Sequence, residues 1–127
     1  MADRADREGP MLRIEVKRDR TQCFIVLYGS LDDKAWDDWT DCLVRLSAAD
    51  GVQSFVFGCY PLRYISSQAA GAWLEFILEQ QNHGNTCHIA SPQAQIHEAL
   101  LDMGFYALTG LSRERKEIFG LTRQSHT

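Results

Sequence analysis

The fold is decided by the run Cys23-Phe24-Ile25-Val26-Leu27-Tyr28 and by the residues that close it, Gly29-Ser30-Leu31-Asp32. Six consecutive apolar, β-prone residues are typical of a strand that is covered on both faces. Residues 11–17 alternate between apolar and polar side chains, which predicts a preceding strand with one buried face. Because only Arg18-Asp19-Arg20 and two further residues connect them, the two strands are expected to form an antiparallel hairpin.

After Asp32 the apolar period changes from that of a strand to that of a helix. Apolar residues spaced by three and four predict one buried helix face, formed by Trp36, Trp39, Leu43 and Leu46. Asp32 or Asp33 can cap the start of this helix, and Gly51 supplies a stop after it.

Two further strand–helix pairs follow. Residues 53–57 and 86–90 are short β-prone runs, and each is followed by a helical pattern. The first of these helices starts at Ser67, with an apolar face of Ala70, Trp73, Leu74, Ile77 and Leu78. The second starts with Ser91 as cap and Pro92 as first residue, carries Ile96, Ala99, Leu100 and Met103 on one face, and ends at Gly104.

The element order ββαβαβα predicts an α/β fold, a mixed sheet of four to five strands with amphipathic helices packed on it. Residues 106–108 are the candidate fifth, edge strand. We expect residues 1–10 to form a flexible tail, residues 11–111 to form one domain, and residues 112–127 to be a C-terminal extension with a short helix over 113–119.

Composition narrows the class of function. The chain has 127 residues, 45% of them hydrophobic and 24% charged, with a net charge of -4. The acidic balance disfavours nucleic acid as a partner, since nucleic-acid binders usually carry a basic excess. We find neither an apolar run long enough to span a bilayer nor a signal peptide within the first ten residues, so we expect no direct membrane insertion and a cytoplasmic location.

Catalytic and metal-binding motifs are not evident. The four cysteines include no C-x-x-C pair and are expected to be small buried hydrophobes: Cys23, Cys42, Cys59 and Cys87. A metal site would need His83, Cys87 and His88, but adjacent residues on a strand point to opposite faces. Without a nucleophile–base pair, a glycine-rich phosphate loop or paired carboxylates, we predict a non-enzymatic protein that needs no cofactor.

The string Tyr64-Ile65-Ser66-Ser67 is the second informative stretch, because it places two hydroxyls where the chain enters a helix. The first turn of a helix has unpaired backbone N–H groups and the positive end of the helix dipole, and both favour a phosphate. The order of strand, hydroxyl and anion site suggests a phosphorylation switch. Ser67 is equally open to the plain interpretation of a helix N-cap, and Ser66 is the alternative phosphoacceptor.

From Leu12 to Leu111 the chain resembles the STAS domain, the fold of bacterial anti-sigma factor antagonists. Gly29-Ser30-Leu31-Asp32 matches the family's G-x-x-D at the end of the second strand, and Tyr64-Ile65-Ser66-Ser67 is similar to its Y-I-S-S motif. The resemblance places Ser67 on the phosphorylation position. Gly58 and Ser66 are neutral where the family usually carries acidic residues.

The resemblance implies an anti-sigma factor antagonist that acts by partner switching. The partners would be an anti-sigma factor serine kinase and a serine phosphatase, with a weak homodimer as a further expectation. The partner-binding residues would be Asp32, Ser66, Ser67 and Gln68, although Asp32 also has the plain interpretation of a helix cap. The alternatives are a STAS subunit of an ABC-type lipid transport complex that binds its ATPase, and a STAS scaffold that is not phosphorylated or a STAS domain that binds a small ligand.

Overall fold

The computed structural model describes residues 11–107 and 109–112. The tail predicted for residues 1–10 lies outside the described residues. So do the extension beyond residue 112 and the short helix predicted within it.

The described chain forms a mixed sheet with three α-helices, as predicted. Its strands are β1 (Arg13–Asp19), β2 (Gln22–Leu31), β3 (Ser54–Gly58), β4 (Leu62–Ile65), β5 (Thr86–Ala90) and β6 (Gly110–Ser112). Its α-helices are α1 (Trp36–Ala48), α2 (Ser67–Asn82) and α3 (Ala94–Asp102), and Asp33–Ala35 and Phe105–Ala107 are short 3₁₀ turns. The order across the sheet is β1-β2-β3-β5-β6, and β1 alone is antiparallel to its neighbour among the described strands.

Strand β2 changes its neighbour partway along its length. Gln22–Val26 pairs with β3, whereas Gly29–Leu31 pairs with β4 after a register shift at Gly29. Gly29 has a φ of +91°, and a Cβ there would collide with the carbonyl of Met11, so only glycine fits. β4 was not predicted, because it has four residues, follows Pro61 and exposes two of its side chains.

All three described helices pack on one face of the sheet. Alternate residues of β2, Cys23, Ile25 and Leu27, enter the main core together with most of the predicted stripes of α1 and α3. Trp36 and Ala99, which were also predicted for these stripes, are only half-buried. At its centre, aromatic rings meet edge to face, with centroids 5.7 Å apart for Trp39–Trp73 and 5.2 Å for Trp73–Phe105. The opposite face carries a small cluster of Phe24, Val56 and Ala90, packed with Tyr60.

Four element predictions were wrong in detail. Helix α3 begins at Ala94 with Gln93 in the cap position, rather than at Pro92 after Ser91. The edge strand lies at Gly110–Ser112, parallel to β5, and the predicted residues around Tyr106 form a 3₁₀ turn instead. On α2, Leu78 is exposed and Phe76 is buried, because the helix face that packs in the core is rotated slightly from the predicted face. The inner face of β1 is only partly covered, and Val16 is 51% exposed.

Candidate functional site

The start of α2 is built around Ser66. The Oγ of Ser66 accepts a hydrogen bond from the backbone N–H of Ala69 at 3.2 Å, and its backbone is extended. The backbone N–H of Ser66 donates to the carbonyl of Leu31 at 2.8 Å. Ser66 is therefore the N-cap, and the interpretation of Ser67 as the cap was wrong by one residue. Ser67 is already helical, so its side chain does not have the geometry of a cap.

Ser67 and Gln68 are the first two residues of α2, and both are exposed. Backbone N–H groups in the first turn of a helix lack partners within the helix, and here Ser66 satisfies that of Ala69. No acidic residue lies in this first turn to occupy the positive end of the dipole. The hydroxyl of Ser67 is thus open to solvent beside a place that favours an anion.

Asp32 lies at the same end of the sheet. Its Oδ1 accepts from the backbone N–H of Lys34 at 3.1 Å, so Asp32 caps the 3₁₀ turn that leads into α1, and the cap interpretation is confirmed. Because the carbonyl of the preceding residue, Leu31, bonds to Ser66, the pairing of β2 with β4 brings Asp32 beside the start of α2.

Trp39 fixes the start of α2 to α1. The Nε1–H of Trp39 donates to the carbonyl of Ala69 at 3.0 Å, and the ring is fully buried. The prediction that Trp39 packs in the core is confirmed, while Trp36 is half-buried. The helix that carries Ser67 is therefore attached at its start by the backbone bond from Ser66 to Leu31 and by the side chain of Trp39.

Two exposed residues at this site were missed by the sequence analysis. Tyr64 in β4 is 53% exposed, and Asp33 follows the capping Asp32. The exposure of Tyr64 was not predicted, because the alternation in a four-residue strand is too short to show which side chain faces the solvent. Large apolar side chains that remain exposed are enriched at interfaces. We call the surface formed by Asp32, Asp33, Tyr64, Ser67 and Gln68 the α2-start surface.

Gly58, where the resemblance leads one to expect an acidic residue, is the last residue of β3. It is buried between Val26 of β2 and Ala90 of β5. The carboxylates of the α2-start surface are therefore Asp32 and Asp33, which come from the chain after β2 rather than from β3.

The cysteines do not form a reactive site. Cys23, Cys59 and Cys87 are buried, and Cys42 is half-buried. Burial raises the pKa of the Cys87 thiol to about 12, and it is the main cause that raises the pKa of the Cys42 thiol to about 11. Both thiols are therefore protonated and unreactive at neutral pH. Within residues 11–107 and 109–112, no three His, Cys, Asp or Glu side chains are grouped as a metal site would need.

No helix in the described part of the chain is both long enough and apolar enough to cross a membrane.

Comparisons with known proteins agree with this architecture. The structure of the anti-sigma factor antagonist SpoIIAA in its unphosphorylated form superimposes with a TM-score of 0.69 at 16% identity, covering 90% of this chain and 97% of that one. SpoIIAA of Bacillus, a cell fate determinant, in its phosphorylated form gives 0.66 at 16% identity, covering 87% and 99%. An anti-sigma factor antagonist from Mycobacterium paratuberculosis gives 0.75 at 9% identity, covering 89% and 95%.

At these identities the structural likeness shows the fold alone. A search of curated protein sequences gave no match. The model of the STAS domain family matches residues 13–118, which is most of the chain. The chain therefore belongs to the STAS domain family.

Proposed function

We propose that this protein is an anti-sigma factor antagonist that binds an anti-sigma factor serine kinase through the α2-start surface and is released when that kinase phosphorylates Ser67. The observation that carries the proposal is that the two serines have different structural positions. Ser66 is held in the cap and partly buried, whereas Ser67 is exposed on the first turn of the helix. In this scheme the protein acts in the cytoplasm, and a serine phosphatase returns it to the binding form.

The contacts of Ser66 favour Ser67 as the acceptor. A kinase must reach the hydroxyl oxygen, and the Oγ of Ser66 faces the backbone N–H of Ala69. Phosphorylation of Ser66 would have to disrupt the cap, at a cost of about 1 kcal/mol. Phosphorylation of Ser67 leaves the cap in place.

The charge of the phosphate is the proposed cause of the change in partner binding. A phosphate on Ser67 adds about -1.5 to -2 charges at neutral pH. The first-turn N–H groups and the helix dipole stabilise it, so the phosphorylated domain keeps its fold. The same charge is added near Asp32. A partner matched to the neutral serine would meet this additional negative charge and lose affinity.

The test is affinity capture from lysate of the native source with three baits: the unmodified protein, Ser67→Ala and Ser67→Asp. We expect the unmodified protein and Ser67→Ala to retain a serine kinase, identified by mass spectrometry, and Ser67→Asp to retain at least tenfold less. Phosphopeptide mapping after incubation with ATP and the captured kinase should place the phosphate on Ser67.

Thr21→Asp is the matched control. Thr21 is an exposed hydroxyl residue in the turn before β2, at the opposite end of that strand from Asp32, so an added carboxylate there should not change capture. Equal retention of the kinase by Ser67→Asp and by the unmodified protein would contradict the proposed switch. Phosphate on Ser66 alone would move the acceptor by one residue.

A second candidate function rests on the neutral residues Gly58 and Ser66. The lack of acid at these positions favours a STAS subunit of an ABC-type lipid transporter, in which Ser67 is an unmodified contact with the ATPase. Capture of an ABC ATPase by both the unmodified protein and Ser67→Asp would support this function. A chain that is never phosphorylated and captures neither class would support the scaffold alternative.

A further inference from the structure

A groove of about 520 Å³ runs between β1 and α1, away from the α2-start surface. One wall is the inner face of β1, where alternate residues Leu12, Ile14, Val16 and Arg18 point to the same side. The other wall is a single stripe of α1, formed by Asp38, Asp41, Cys42, Arg45, Leu46 and, just after the helix, Ala49. Cys23 of β2 also lines the groove.

This groove is where the sequence pattern and the packing disagree. The alternation in β1 predicts a buried face, yet Leu12 and Ile14 are only half-buried and Val16 is 51% exposed. Natural edge strands usually avoid an open apolar face, because it invites unwanted association. The volume lies within the range of about 300–1,000 Å³ that is typical of small-molecule pockets. The uncovered apolar wall is therefore large enough to hold a ligand.

Arg18 supplies a guanidinium at one end of the groove. It pairs in register with Cys23 at the start of β2, and its Nη2 lies against Gly51, where a Cβ would be only 3.0 Å away. Its Nε–H donates to the carbonyl of Arg20 at 3.0 Å, which fixes the side chain at this end. The chain after α1 returns to the start of β2, where the backbone N–H of Gln53 donates to the carbonyl of Thr21 at 2.7 Å. Arg45, in the last turn of α1, therefore lies toward the same end of the groove as Arg18.

The acidic residues of the rim divide between the two ends of the groove. Asp38, in the first turn of α1, lies at the end away from Arg18. Asp41 lies 3.8 Å from Arg45 and offsets the charge of that guanidinium. The groove thus has an apolar middle, the guanidinium of Arg18 at one end and the carboxylate of Asp38 toward the other.

We propose that the β1–α1 groove binds a single-chain anionic amphiphile, a fatty acid being the simplest case, with its acyl chain along Leu12, Ile14, Val16 and Leu46 and its carboxylate at Arg18. Burial of the apolar wall supplies the affinity, and the Arg18 guanidinium sets the orientation and selects the anionic head. This inference is independent of the proposed switch, because the groove and the α2-start surface share no residue.

The test is isothermal titration calorimetry of the full chain with laurate below its micelle-forming concentration, against dodecyltrimethylammonium, which has the same chain length and a cationic head. We expect saturable 1:1 binding of laurate, at least tenfold tighter than that of the cation. Val16→Asp should weaken laurate binding at least tenfold, because it places a carboxylate in the apolar wall. Arg18→Gln should weaken it several-fold, because it removes the cation that faces the carboxylate.

Val44→Asp is the matched control, since Val44 is an exposed apolar residue of α1 that lines the shallow groove on the α2 side instead. It should leave laurate affinity unchanged. Circular dichroism and urea unfolding of each variant confirm that the fold is kept, and Val16 tolerates the change because it lies on an edge strand. The proposal is overturned if laurate does not saturate, if the cation binds equally well, or if Val16→Asp binds laurate as tightly as the unmodified protein.

Discussion

The starts of α2 and α3 carry the same sequence signal, a serine ahead of a helical pattern, and they are built in different ways. At α2, Ser66 caps the helix and Ser67 is exposed. At α3, the helix begins at Ala94 rather than after Ser91, and Gln93 occupies the cap position without a side-chain bond to the helix. Ser91 is buried, has a φ of +56°, and its Oγ has no partner among the described residues.

The difference lies in where the polar side chains are directed. The amide of Gln93 donates to the carbonyl of Tyr60 at 2.8 Å, so it ties α3 to the turn before β4 instead of capping the helix. At α2 the cap and the tie are separate groups, because Ser66 caps while Trp39 provides the attachment. A modifiable hydroxyl is left exposed only where another residue already performs the cap. This favours α2, and not α3, as the place for a switch.

The prediction with the largest expected effect removes the hydrogen bond that attaches the start of α2 to α1. Trp39→Phe keeps an aromatic ring in the core but loses the hydrogen bond to Ala69 and part of the buried surface. We expect the free energy of unfolding to fall by about 2 kcal/mol, measured by urea denaturation. Trp36→Phe, at a half-buried position of the same helix, should cost less than half as much. An equal effect of the two changes would contradict the attachment.

The next test separates the two adjacent serines. Ser66→Ala removes the cap and should lower the free energy of unfolding by about 1 kcal/mol. Ser67→Ala, one residue later, removes an exposed hydroxyl and should change it by less than about 0.5 kcal/mol. The same urea experiment measures both. A larger loss of unfolding free energy in Ser67→Ala than in Ser66→Ala would identify Ser67 as the cap. It would also contradict the inference that the hydroxyl of Ser67 is free to be phosphorylated.

The sequence predicts most of the fold because its apolar periods are long and clear. The alternation in residues 11–17 and the three helical stripes each extend over enough residues to define a face. β4 could not be predicted in this way, because its pairing depends on the register shift at Gly29 and on the second half of β2 rather than on its own four residues. The edge strand was misplaced for the same reason, since β6 has three residues.

The cap at the start of α2 was predicted to within one residue, and that residue matters. The pattern places two serines at a helix start but does not say which one has extended backbone and which is helical, and this alone decides the cap. Tyr64 and Asp33 reach the same surface through the pairing of β2 with β4, a contact between distant segments that local patterns do not encode.

The smallest test returns to α3 and should have the opposite sign. Ser91→Gly relieves a left-handed backbone that costs about 1–2 kcal/mol with a side chain, and it removes a buried hydroxyl without a partner among the described residues. Glycine's greater freedom in the unfolded chain offsets about 0.5–1 kcal/mol. We therefore expect the free energy of unfolding to rise by about 0.5 kcal/mol, where Ser66→Ala lowers it. Ser91→Ala, which keeps the backbone cost, should gain less than Ser91→Gly. A lower free energy of unfolding in Ser91→Gly would mean that the hydroxyl of Ser91 stabilises α3 as that of Ser66 stabilises α2. The starts of α2 and α3 would then differ only in that Ser67 is exposed and Ser91 is buried.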